Sequence, residues 1–574
     1  MPNIKKLIIW FSKVIQHPSF ISTAVIILLT YFVLQHAFNQ PGMFQTHDGE
    51  MHIVRSLHFF SELKRGQFPV RMAADLAYQY SYPIFQFFYP LPYYTVAIFQ
   101  LIGLSTTESW RFSLVLVTFL SLWFFYKWMR CHADFVASLV GTTIFALVPF
   151  RFLTLYVTGQ IGGYYSLMFA PLIGWGLNKL LQINSGPEFK HKKIQGGVLV
   201  ATGVAGMILS HLLSVIIFFL PLGVYAAYLL FRKFSWKKMG SLIFWTACGV
   251  GVSSFYFLPF LFEKSWVKIG HSILINHRDH WPTIQQLLYS PWGFGYSVAG
   301  ASDGMSFQIG VALLLSWLIS VIILFVHKFQ HTKALIFSVI TVILFFLMTK
   351  HSSVVWEIVT PLKYLQYPWR ILAATSVVGS YLSGWIISQL TGKKRALVGL
   401  SLLIIAAINI RNYRYPWPLD WKSDQDFLKN TQSYYGSTDI SWELMPAGTN
   451  FKPNQFGNII SEQESGTVIT KLQQPTSGSS RLQFLAESKE PSTLILPIWN
   501  YPAWDVKING SLVEKQTTNK GTIEIKIPSG KSSVAVVLTR TKIQKLADTM
   551  SLINIIFLIS IILYSAKKTV KNGS

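Results

Sequence analysis

Apolar residues run along this chain in blocks of roughly twenty, separated by short polar segments, as far as about Tyr413. About twenty is what a helix needs to cross a bilayer, so each block predicts a span. The first runs from Phe20 to Leu34, the second covers 110–128 and the last 549–566. Between Tyr413 and Met550 the pattern changes and period-two alternation takes over. In "WDVKING", Trp504, Val506 and Ile508 share one face and Asp505, Lys507 and Asn509 the other, while Asn509-Gly510 predicts a tight hairpin turn. "TIEIKIPSG" repeats this with Ile523, Ile525 and Ile527 inward, and "SVAVVL" follows the Pro528-Ser529-Gly530 turn. Such spacing predicts a small antiparallel sandwich. Trp421 to Phe456 is less periodic and reads as irregular chain packed over the membrane part.

The predicted fold class is thus an all-α polytopic membrane domain plus an extracytoplasmic β-sandwich-like domain. Its expected boundaries are 1–412 for the membrane domain, with a first outer loop over 38–109, then 413–547 for the β-rich domain. A final span and basic cytoplasmic tail occupy 548–574. No internal repeat argues for a transporter-type duplication.

Composition agrees with a membrane protein. Of 574 residues, 51% are apolar and only 13% charged, about half the charge of a soluble chain. The net charge of +25 would suggest nucleic acid in a soluble protein. Here the basic residues sit in clusters between spans, which is topology information, and no nucleic-acid partner is expected. Cys131 and Cys248 fit neither a disulfide framework nor a zinc spacing. The N-terminal apolar run is long and lacks an Ala-x-Ala site, so it reads as an uncleaved first helix.

Seven basic clusters mark cytoplasmic loops: Lys5/Lys6/Lys13, Lys127/Arg130, Lys190/Lys192/Lys193, Arg232/Lys233/Lys237/Lys238, Lys328/Lys333, Lys393/Lys394/Arg395 and Lys567/Lys568/Lys571. Pairs of apolar blocks separate them, with one exception. If the Pro- and Tyr-rich stretch Pro83 to Leu104 crossed the membrane, every later cluster would face outward. The positive-inside rule therefore places it at the outer interface, where aromatics are favoured and prolines interrupt a helix. The result is about twelve spans, with both termini inside.

The stretch "THDGEMH" (Thr46 to His52) then lies in an outer loop of roughly 45 residues, long enough to be functional. On a helix beginning near Thr46, Asp48 and His52 share a face with Arg55 and Ser56. Glu50 lies about 200° round from Asp48 on the same helix. An acid here could take a proton from a hydroxyl or hold a divalent cation; the bland alternative is helix capping. His47 and His52 lack a third partner in sequence for a transition metal. Arg370, closing "LKYLQYPWR", suits a phosphate by forked hydrogen bonding, or else an interfacial anchor with Tyr367 and Trp369. His211 in "ILSHLLS" reads first as a helix–helix hydrogen bond. Arg151 and the cluster His277 to His280 default to surface solvation. Trp499, Tyr501 and Trp504 have the chemistry to stack on sugars, but alternation makes Trp504 a core residue first.

At these residues a likeness appears. "HDGEMHIVRSLHFFSELKRGQFPVRMAADLAYQYSYPIFQFFYPLPYY" (His47 to Tyr94) resembles the first outer loop of bacterial membrane proteins labelled 6-pyruvoyl-tetrahydropterin synthase-related and of the neighbouring YfhO-type proteins. "LQYPWR" and "WNYPAWDVKINGS" look like later landmarks of that group. These proteins in turn resemble GT-C glycosyltransferases, which carry an acidic residue in the first outer loop together with interfacial helices. The resemblance implies transfer of a sugar from a polyprenyl-phosphate-linked donor, in the membrane lipid, to a cell-envelope polymer or glycolipid acceptor. By position Asp48 would be the acid, with Glu50 as its substitute and His52 positioning the acceptor. Arg370, with Arg71 or Arg55, would hold the departing phosphate, and His211, Tyr367 and Trp369 would line the site. Some relatives place a charge in the turn after the third span. Here that turn reads "YVTGQIGGYYS" with Gln160, which favours a mechanism without a required cofactor and leaves a divalent cation as the alternative. Competing readings are a lipid-linked saccharide transporter or flippase, which predicts polar residues along mid-membrane helix faces, and a non-catalytic envelope-assembly protein.

Overall fold

The structure, a computed structural model, describes residues 18–181, 187–270, 275–413, 420–430, 434–436, 442–461, 468–473 and 480–572. The cluster Lys5/Lys6/Lys13 lies outside them. The chain is mostly helical, with a β-rich region towards its C-terminal end. Among the described residues, 7 helices are long and apolar enough to cross a membrane, or up to 9 if two bent pairs each count as one. One pair, Trp236–Val252 with Ser254–Trp266, breaks by 77° at the Ser253-Ser254 pair, a recognised cause of kinks. The other, Thr332–Leu347 with Lys350–Ile358, turns by 91°.

That count is below the twelve or so that the hydrophobic pattern predicts. Three helices account for the difference. Val311–Val326 has only 16 residues. Gly392–Asn409 opens on three consecutive basic residues, and Ile161–Leu180 dilutes its apolar residues with Gly, Tyr and Pro. At the bundle's centre stands Pro368–Gln389, 94% buried, whereas the last helix, Lys542–Ser565, is only 17% buried and lies on the periphery.

The stretch from Pro83 folds as two short helices, Ile84–Phe87 and Leu91–Leu101. At 1.5 Å per residue the longer one rises about 16 Å, half of a hydrocarbon core, so it cannot cross. Its prolines stand at or next to the helix starts.

In the β-rich region two antiparallel sheets form. One orders Ile460–Ser461, Ser492–Trp499, Thr522–Ile527 and Gln516–Thr517; the other orders Val468–Gln473, Ser480–Ser488, Gly530–Leu538, Trp504–Ile508 and Ser511–Val513. Trp504, Val506, Ile508, Ile523, Ile525 and Ile527 are all buried, as alternation requires. Asn509 and Gly510 both take positive φ (50° and 84°) in the two-residue turn joining Ile508 to Ser511. Trp499, Tyr501 and Trp504 are buried to 1% exposure or less, so none can offer a ring to a sugar.

Residues from Trp421 onward fasten the first loop. Trp421–Lys422 pairs antiparallel with Met43–Phe44. The Asp424 carboxylate accepts hydrogen bonds from the backbone N–H groups of Thr106 (2.7 Å) and Thr107 (2.9 Å) at the start of helix Thr106–Met129, satisfying two of the donors a helix start leaves open. From the β region, Trp499 N–H donates to Tyr80 O at 2.9 Å. The first loop is thereby held between the helical bundle and the sheets.

Candidate functional site

Asp48 is positioned by its backbone. The chain from the third span continues through Pro149–Leu153 into a π-helical turn, Thr154–Thr158, and leaves it at Gly159 with φ +64°. Such wide turns concentrate at functional sites, and this one offers carbonyls outward. His47 N–H donates to Val157 O (2.9 Å) and Asp48 N–H to Thr158 O (3.0 Å). A Cβ at residue 159 would lie 2.1 Å from Thr46 Oγ1 and 3.1 Å from Gly49 N, so glycine is required both for its φ and for its size.

Helix Gly49–Lys64 starts immediately afterwards with Asp48 at its N-cap, yet the Asp48 side chain makes no capping hydrogen bond. Among the described residues its carboxylate has no ion pair either. The residue is half-buried. Burial pushes its carboxyl up to about 6, against the opposing charges of Arg55 and Arg370. Capping by this side chain, the bland alternative, is therefore not what the group does here.

Arg55 and His52 follow at i+7 and i+4 on the same helix face. His52 is enclosed by the rings of Phe88, Tyr89, Tyr93 and Trp110, with Nδ1 and the Tyr93 hydroxyl 2.8 Å apart. Burial, reinforced by Arg55, holds its pKa well below the usual imidazole range, so the ring is neutral. Arg55 is buried, its guanidinium 4.2 Å from the centre of the Phe88 ring and hydrogen-bonded to Tyr93. The helix thus presents an acid, a neutral imidazole locked by a tyrosine, and a guanidinium braced by aromatics.

From far along the chain, the first turn of the central helix, Pro368–Ile371, delivers Arg370. Its Nη1 donates to Leu365 O (2.8 Å) and Gln366 Oε1 (3.2 Å), and the guanidinium lies 4.9 Å from the Tyr367 ring centre. Its Nε is buried without a partner, and no carboxylate among the described residues pairs with it. Its field reaches Asp48 and His211. His211 interrupts two helices at a single extended residue (φ −170°), pairs through Nδ1 with Ser214 Oγ at 2.8 Å, and among the described residues its side chain makes no hydrogen bond to a more distant helix. Tyr89 joins the group: its ring centre is 5.6 Å from that of His211, and its hydroxyl feels Asp48 and Arg55. Nothing in the local sequence marks Tyr89 out from the other tyrosines around it.

Three predicted residues sit elsewhere. Glu50 turns away and pairs with Lys422, both half-exposed. Arg71 is bound to Asp548 of the last helix (2.6 Å) and to Phe255 O (3.0 Å), so it clamps the peripheral helix. Trp369 is buried against Phe307 as a wall. Arg151, expected at the surface, is fully buried between the Phe145 and Tyr164 rings. Among the described residues no group of three or more His, Cys, Asp and Glu side chains could hold a metal ion. Chemically the cluster is one proton acceptor titrating at about 6 in the field of two buried guanidiniums, Arg55 and Arg370.

No family model matches the chain. A curated relative, an "Uncharacterized protein" of Lactococcus lactis subsp. cremoris (strain MG1363), is 24% identical over 248 residues, which is 41% of this chain and 39% of that one. Among solved structures, the arabinofuranosyltransferase AftD from Mycobacteria is similar at 14% identity and a TM-score of 0.45, over 69% of this chain and 27% of AftD. The oligosaccharyltransferase AglB from Archaeoglobus fulgidus is similar at 12% identity and a TM-score of 0.41, over 75% of this chain and 57% of AglB. The chain therefore spans well under two thirds of each of these proteins. Likeness at this level is too low to transfer a function.

Proposed function

We propose that this chain is a membrane glycosyltransferase that moves a sugar from a polyprenyl-phosphate-linked donor to a cell-envelope acceptor on the extracytoplasmic face. One observation carries the reading: the Asp48 carboxylate makes no capping hydrogen bond and, among the described residues, no ion pair, in the field of Arg55 and Arg370. With Asp48 ionised, the three side chains sum to one positive charge, which favours a phosphate leaving group.

In the proposed step Asp48 accepts the proton of the acceptor hydroxyl. The oxygen forms a bond to the anomeric carbon from the face opposite the phosphate, and the carbon–phosphate oxygen bond breaks with inversion. The electron pair leaves on the phosphate, where Arg370 and Arg55 stabilise the growing charge, the largest electrostatic demand of such a transfer. The Arg370 Nε, buried and without a partner among the described residues, would donate to the phosphate. His52 acts through Tyr93, which orients Arg55. Glu50 belongs to the rim and Arg71 to the scaffold. No metal is required by this scheme.

The GT-C-like topology belongs to the same proposal. Counting Ile161–Leu180, Val311–Val326 and Gly392–Asn409 as spans gives twelve, places both termini in the cytoplasm, and puts Asp48, Arg370 and the β-rich domain outside. The envelope polymer and glycolipid remain the acceptor classes.

The test compares wild type with Asp48→Asn at equal membrane abundance, following radiolabelled sugar out of a polyprenyl-phosphate pool and into envelope polymers. Transfer is expected to vanish in the variant. Transfer at the wild-type rate sinks the reading and revives the transporter or assembly-protein alternatives.

A further inference from the structure

Tyr296 is exposed to 65% although one face of its ring is covered. It stacks on His47, the residue preceding Asp48, with ring centres 4.2 Å apart and planes within 27°. Its other face is open, and it projects from the glycine-rich loop before Val311–Val326 rather than from a span. We propose that Tyr296, backed by His47, is a stacking platform for the sugar ring of a saccharide acceptor beside Asp48. This deepens the reading of Asp48 as the acceptor's base and rests on it.

Preorganisation is the first argument. The loop is glycine-rich but tied down: Gly295 N–H donates to Gly304 O (2.9 Å) and Gly304 N–H to Tyr296 O (3.0 Å). Asp303 accepts from Val298 N–H (2.9 Å) and from Gln286 Nε2 (2.9 Å). His47 Nε2 meets Phe294 O at 2.9 Å, and His280 Nδ1 meets Ser297 Oγ at 3.1 Å while its ring packs on Tyr367, next to the Arg370 turn. An aromatic side chain held this way gives up little conformational freedom on binding.

Chemistry is the second. Burial depresses the His47 pKa, so the imidazole backing the tyrosine ring is neutral. An aromatic face that carries a hydroxyl at its edge suits a sugar ring, whose C–H face is apolar and whose rim is hydroxylated. Where anions are concerned, the guanidiniums of Arg55 and Arg370 are the site's binding groups, so the platform is left to the neutral partner.

The experiment uses the full chain in lipid nanodiscs and immobilised oligosaccharides of neutral hexoses, N-acetylhexosamines and pentoses, with an immobilised peptide set beside them. Wild type is expected to be retained on one saccharide class. Tyr296→Ala should weaken that retention by about tenfold, the order of one aromatic contact, and Tyr296→Trp should keep it. Unchanged binding by Tyr296→Ala, retention on peptides alone, or no retention of wild type on any saccharide overturns the proposal. Asp48→Asn should still bind the saccharide while transferring nothing. If Asp48→Asn still transfers, the catalytic reading fails independently of the platform.

Discussion

Replacing Asp48 by Asn should stabilise the protein while abolishing transfer, and the stabilisation should depend on pH. Asn keeps the shape and the N-cap preference of Asp but removes the charge. In the folded chain the Asp48 carboxyl titrates at about 6 instead of 3.8, because burial outweighs the attraction of Arg55 and Arg370. A folded-state pKa raised above the unfolded one favours the fold below the unfolded pKa, and that advantage is lost as pH rises through the folded pKa. At about 1.4 kcal/mol per unit, ionised Asp48 costs the fold about 3 kcal/mol at pH 8. The same linkage gives roughly half that at pH 5 and almost nothing below pH 4. The assay is thermal unfolding of wild type and Asp48→Asn in nanodiscs across that pH range. The variant should melt higher at pH 8, with the gap closing as pH falls. Equal or lower melting of the variant at pH 8 would refute the argument, since it would mean that the carboxylate is stabilised by a partner and is not free.

Other outcomes follow from the same geometry. Transfer should rise about tenfold per pH unit up to about pH 6 and level off above it, read from initial rates; Arg370→Gln, which removes the charge, should lower the rate by about a hundredfold and move that limb to higher pH, since the Arg370 charge holds the Asp48 pKa down. Glu50→Gln, which breaks only a half-exposed pair with Lys422, should cost less than about 1 kcal/mol and leave kcat within about twofold. A large kcat loss would move the base to Glu50. Gly159→Ala should cost about 1–3 kcal/mol of stability and displace Thr46 and Gly49, so that transfer falls even where membrane abundance, measured by blotting, is preserved.

The sequence by itself determined the class of the protein. Blocks of apolar residues have one thermodynamic home, the bilayer, because backbone polar groups in lipid must be satisfied within a helix. Period-two alternation with Asn509-Gly510 determined a strand pair for the same local reason, and the burial of Trp504, Val506 and Ile508 follows from it. The face shared by Asp48, His52 and Arg55 was also legible, since helix geometry is set over seven residues. Tertiary structure alone decided the rest. Asp48 and Arg370 are 322 positions apart (370 − 48), and only packing of the first loop onto the central helix's first turn brings their fields together. It also separated residues that the pattern grouped: Glu50 to Lys422, and Arg71 to Asp548, each drawn off by an opposite charge from a distant segment. The π-helical turn at Thr154–Thr158 carries no charge and no motif, yet its carbonyls orient Asp48. Short-range periodicity cannot encode such a contact, because the free energy of a backbone hydrogen bond depends on which remote N–H arrives, and that is settled by how the whole chain packs.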